Sequence, residues 1–235
     1  NTKGVMKVPT LDRFHFKLLS GLTLLTTFLM GAIDAYTFIE QDGSFASAQT
    51  GNLVVLSIKI FSGQFSETSY HIFSFIGYAI GAFIGEVMVD QLKDHRLYSI
   101  KRPLQLKVLV LAGIAIFQPI LPHGMTIFFL GLLAGYALSV YRKFSSTTVN
   151  NGIMTGNTKN MMNKLYLYVF KKDEAAKQSL THFLIVLIVF TAGAGVSTLW
   201  IHLHPSFVMW FCFILMLSAL IIVEIFMAQH RKAEN

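Results

Sequence analysis

The chain has 235 residues, of which 54% are hydrophobic and only 13% charged, with 21 Phe and a formal net charge of +7. Length alone fits one or two soluble domains, but several apolar runs reach the roughly 18–25 residues that cross a hydrocarbon core, which excludes a soluble globular protein. The positive charge is not a nucleic-acid footprint either, because loops on one side of a membrane protein collect the Lys and Arg.

In chain order, residues 1–16, with Lys3, Lys7 and Arg13, read as a cytoplasmic N-terminal segment ahead of a first span at 17–39. "SFASA" at 44–48 resembles a signal-peptidase site, but the polar stretch from Asp34 to Gly43 is too long for a cleavage region, so no cleavage is expected. "QTGN" at 49–52 lies in a short segment, 45–62, and spans follow at 70–92 and 104–121. A fourth span at 124–144 leads to a second short segment, 145–170, which contains "MTGN" at 154–157. Spans at 180–201 and 206–228 precede a tail at 229–235. Gly77, Gly81 and Gly85 recur every fourth residue, a stripe that lets helix backbones approach in lipid and offers a homo-oligomer contact. Gly131 and Gly135 repeat the pattern. The lone Cys212 sits in an apolar run and the His202/His204 pair has no accompanying ligands, so neither a disulfide nor a metal or other cofactor is expected.

Charge placement decides how the short segments lie. If both are re-entrant and the N-terminus is cytoplasmic, every one of the 19 basic residues except Lys59 falls inside. In that arrangement Lys93, Arg96, Lys101, Arg102 and Lys107 share one cytoplasmic loop, and Glu40, Asp42 and Glu67 stay outside. The expected fold is therefore an all-α membrane protein with six transmembrane helices and both termini inside. Each half reads span, TGN segment, span, span, giving repeats at 17–121 and 124–228. Three spans per half turn the second half upside down, the inverted-repeat plan whose sites lie near the midplane.

One TGN segment then enters from outside and the other from the cytoplasm, each turning into a half-helix. An extended chain from Phe45 to Thr50 covers roughly 20 Å, enough to reach the middle of a core about 30 Å thick. Thr50 and Thr155 read as helix N-caps, Gly51 and Gly156 as points of close approach, and Asn52 and Asn157 as compact donor–acceptor groups. Gln49, Thr50, Gly51, Asn52, Thr155, Gly156 and Asn157, joined by Asp34, form the expected solute site. Asp34 and Glu86 are the candidate coupling carboxylates, because charges inside spans face a bundle interior or a water-filled cavity. They lie roughly 20 Å apart in depth at about 1.5 Å per residue, too far for a dyad. The position equivalent to Asp34 in the second half is Ser139, so any coupling is asymmetric.

The stretch "GAIDAYTFIEQDGSFASAQTGNLV" at 31–54 resembles the hallmark of the YoaK-type family of small bacterial membrane proteins. Gly31, Asp34 and Ala35 match its Gly-x-x-Asp-Ala motif, Thr50, Gly51 and Asn52 its Thr-Gly-Asn, and Thr155 and Gly156 its weaker second motif. The resemblance covers nearly the whole chain and implies a bacterial inner-membrane protein, with no established substrate or reaction.

The leading functional expectation is a small-solute channel or secondary transporter, its partners being the bilayer and a small solute or ion. Two helix N-termini aimed at one cavity favour an anion or a neutral polar solute. A non-transporting interaction or assembly protein is the alternative. An intramembrane enzyme is not expected, since no Ser/His, Cys/His or twin-Asp motif falls in the spans.

Overall fold

The computed structural model describes residues 10–65, 68–93 and 98–234. Lys3, Lys7, Arg96 and Glu67, used in the charge argument, lie outside the described residues. The order is α1 Thr10–Glu40, α2 Gln49–Phe61, α3 Ser69–Leu92, α4 Tyr98–Phe117, α5 His123–Val140, a β1–β2 hairpin of Lys143–Phe144 and Thr147–Thr148, α6 Met154–Lys171, α7 Glu174–Leu203 and α8 Ser206–Glu234. Among the described residues the regular structure is all helix apart from that hairpin, in which Lys143 faces Thr148 and Phe144 faces Thr147.

Among the described residues five helices, α1, α3, α5, α7 and α8, are long and apolar enough to cross a membrane. The chain is thus built as a multi-pass membrane protein, and Phe83 and Leu199, each 70% exposed, turn apolar surface outward where lipid would cover it. α4 departs from the expected span at 104–121. It ends at Phe117 and begins early enough to contain Lys101, Arg102 and Lys107, which the charge argument assigns to a loop. Lys101 pairs with Glu224 of α8 at 2.7 Å. Lys107 is fully buried, its Nζ donating to Thr26 Oγ1 at 2.9 Å and lying 4.3 Å above the Tyr141 ring.

Local chemistry ends the helices. α1 breaks at Asp42 and Gly43, both at positive φ, where Gly carries no steric penalty. α6 closes on Lys172 in the left-handed conformation, whose N–H bonds Leu167 O. The Asp173 side chain then caps α7 by accepting from the N–H groups of Ala175 and Ala176.

Glycine sets the packing. A Cβ on Gly31 would strike the Phe190 carbonyl of α7, and one on Gly193 the Phe28 carbonyl of α1. In the same way Gly135 of α5 meets the Tyr78 carbonyl of α3, and Gly81 the Leu132 carbonyl. So α1 lies on α7 as α5 lies on α3, with α4 against α8. Exchanging α1–α4 for α5–α8 reproduces the pattern, with Gly31 equivalent to Gly135 and Gly81 to Gly193. The Gly77, Gly81 and Gly85 stripe is buried under α5 of the same chain. It serves the packing of α3 on α5.

Candidate functional site

Each TGN helix is held to the loop before it by its Asn. Asn52 Oδ1 accepts from Phe45 N–H at 2.9 Å while Nδ2 donates to Phe45 O at 2.6 Å. Asn157 repeats this clamp on Asn150, with the two bonds at 3.0 and 2.7 Å. Both Asn side chains are buried, so they serve the backbone and do not border the cavity. The helices begin at Gln49 and Met154, and neither preceding residue, Ala48 or Ile153, supplies a side-chain cap. Thr50 and Thr155 therefore stand inside the first turn, not at the N-cap, and their hydroxyls are left for other uses.

The two loops touch. Ser47 Oγ lies 3.1 Å from the carbonyl oxygen of Gly152, and a Cβ on Gly152 would come within 2.6 Å of the Ser47 Cβ. Ser47 and Gly152 occupy equivalent places, two residues before their helices. Asp34 reaches this crossing: its carboxylate accepts from Ser47 N–H at 2.8 Å and from Ser47 Oγ at 2.5 Å. The loop folds back onto α1, which brings Asp34 of the first span to the start of α2. On the other side Leu138 approaches Gly152, 3.3 Å from where a Cβ would lie, so Leu138 answers to Asp34, not Ser139. The second loop is one residue longer between the glycine contacts and the helix, which shifts the register.

Around the crossing lies a cavity of about 720 Å³ bordered by Asp34, Ser47, Gln49, Thr50, Gly51 and Thr155, with Phe38, Phe45, Tyr78, Met154 and Phe190 among its walls. The structure thus brings five of the sequence-derived site residues to one space. Gly156, Asn52 and Asn157 lie behind it. Gln49 also works inward, donating to Ala46 O at 2.8 Å and accepting from Asn52 Nδ2 at 2.9 Å. Glu86 lies elsewhere, in an exposed ion pair with Arg142, and does not border the cavity.

Sequence reasoning missed Ser47, Gly152, Tyr78 and Phe190. Tyr78 and Phe190 are equivalent residues whose carbonyls receive Gly135 and Gly31, and only the tertiary exchange of α3 and α7 reveals it. It also missed a Ser/His contact, Ser44 Oγ to His71 Nδ1 at 3.2 Å, because the partners are far apart in the chain. Both side chains are fully buried, which closes the pair to a substrate.

A family model described as "Protein of unknown function (DUF1275)" matches residues 22–222, and the YoaK-type proteins are that family. No curated protein and no solved structure matches the chain.

Proposed function

The chain belongs to the DUF1275 family, and from that premise we propose that it is a small-solute channel or secondary transporter whose solute occupies the cavity at the crossing of the two loops. The observation that carries the reading is that both TGN helices start on one cavity, with a single carboxylate among its polar lining groups. Few polar groups converging in an otherwise apolar concave space are the usual build of a small-molecule site. Two uncapped helix starts present N–H donors, while Asp34 and Ser47 present acceptors. The carboxylate offsets the two positive helix ends, so the solute assigned is small and neutral, with a donor and an acceptor on an apolar body. The anion expected from the helix ends alone is set aside for this reason. No chemistry on the solute is part of this reading.

The same reading takes α4 as a sixth crossing and the two halves as inverted, in a bacterial inner membrane with both termini cytoplasmic. Lys59 on the outer side is then neutralised by Asp42 at 2.9 Å. Cysteines replacing Gln64 and Lys172 in a Cys212→Ser background are expected to label from opposite sides. Labelling from the same side defeats the topology.

The transport test uses proteoliposomes and defined probes: swelling with glycerol, urea and acetamide, set against chloride, nitrate, sodium and potassium flux. Permeation of at least one neutral probe, lost in Thr50→Val, is the expected result. If all seven leak no faster than through empty liposomes, the interaction-protein reading takes over; ion flux without neutral flux reverses the solute assignment.

A further inference from the structure

A second, smaller cavity of about 250 Å³ lies between the β1–β2 hairpin, α6 and α7. Its polar lining includes Thr147, Asn160, Asn163, Lys164 and Ser179, and Phe183 closes one wall. We propose that this cavity binds a phosphate group.

Among the described residues the lining carries hydroxyls, carboxamides and one ammonium, and no carboxylate. Hydroxyls and carboxamides serve donors and acceptors alike, so they do not choose the ligand; the charge does. Lys164 is partly buried and has no ion-pair partner among the described residues. A cation would meet that ammonium with nothing to offset it, whereas an anion with several oxygens can take the ammonium and the neutral donors together. Thr147 is set by the fold: its Oγ1 lies 2.8 Å from His182 Nδ1 and 3.4 Å from Ser179 Oγ. With the ring proton on Nδ1, His182 donates to Thr147, whose own hydroxyl proton is directed to Ser179 Oγ on the cavity lining. Phe144 packs its ring against His182 at 4.8 Å and fixes that face. The space exceeds a bare phosphate, so the phosphate can be inorganic or the headgroup of an anionic lipid. The surface of α6 beside the cavity fits either source, with Lys159 and the exposed Met162, Tyr166 and Phe170.

The test titrates the full chain in detergent with inorganic phosphate against chloride at matched ionic strength, by calorimetry. A parallel arm compares nanodiscs of phosphatidylglycerol with nanodiscs of phosphatidylcholine, reading the melting temperature. Saturable binding of phosphate, or a higher melting temperature in phosphatidylglycerol, is expected, and the arm that responds names the source. Lys164→Gln should weaken the response about tenfold or more, the worth of one charge-assisted hydrogen bond. Ser179→Ala, a smaller change in the same lining, should weaken it less. Lys171→Gln removes the same charge outside the cavity and should leave it unchanged. Equal losses in Lys164→Gln and Lys171→Gln would mean diffuse charge and overturn the proposal, as would no response in either arm.

Discussion

The two crossing loops share a backbone design and differ in chemistry. Both use an Asn clamp seven residues back, and both meet at a small residue two places before the helix. Behind the first clamp Gln49 donates to Ser74 Oγ at 3.2 Å, and Ser74 donates to Phe45 O at 2.7 Å. Behind the second, the corresponding Met154 and Val186 belong to an apolar cluster with Val149 and Phe183. In front, the Asp34–Ser47 pair of the first half faces Leu138 and Gly152 in the second. A repeat thus keeps the bonds that shape its backbone while concentrating charge and polarity in one copy. Backbone geometry is what the two halves share, and the side chains around the cavity are what differs between them.

Four experiments press on this contrast. The largest effect should come from what the halves share. Gly31→Val and Gly135→Val each drive a side chain into a carbonyl of the facing helix, and each should cost about 3 kcal/mol or more, seen as lost expression or a fall in melting temperature. A large difference between the two would break the equivalence. Next, Asn52→Ala should destabilise by about 2–3 kcal/mol, and Asn157→Ala by somewhat less, because Asn52 also holds Gln49 whereas Asn157 has only Met154 Sδ at 3.7 Å. Equal effects would show that the polar backing of the first clamp adds nothing.

The third experiment concerns the buried ammonium of the first half. Replacing Lys107 and Thr26 together, as Lys107→Met with Thr26→Val, removes an ammonium without a carboxylate partner among the described residues and leaves no orphaned hydroxyl. Thermal melts should show a gain of about 1–2 kcal/mol, as when buried ionic groups are replaced by apolar ones. A loss instead would make Lys107 a structural tie between α4 and α1. The smallest stability effect belongs to Asp34→Asn, which keeps one acceptor for Ser47 and should melt within about 1 kcal/mol of the parent. Neutral-probe flux should nevertheless fall to background. A variant that melts much earlier with flux intact would make Asp34 a strut.

Much of this fold could be read from the residues because apolar runs and their breaks are local. The segments at 17–39, 70–92, 180–201 and 206–228 all lie within helices of the structure, and each TGN word falls in the first turn of a helix, α2 or α6. The start of α4 escaped because its basic residues pulled the boundary in the wrong direction. A lysine's charge says loop, and only its neighbours Thr26 and Tyr141 reveal an interior. The site was half legible for a similar reason. Repetition pointed to Thr50 and Thr155, but it could not distinguish an Asn facing a solute from one bonded to its own loop. Nor could spacing show that Ser47 draws Asp34 to the crossing, since that contact depends on how the loop turns back.

The exchange of partners between halves has a consequence for synthesis. α1 seats its Gly31 against α7, and α3 seats Gly77 and Gly81 against α5, so the tightest faces of the first half are covered only by the second. When α1 to α4 have been synthesised, the glycine faces of α1 and α3 are still uncovered. Assembly must wait for α5 to fill the groove of α3, and then for α7 to close α1. The first half is therefore a nascent intermediate that depends on its own continuation, and a premature stop after α4 would leave two unfilled grooves for quality control to recognise.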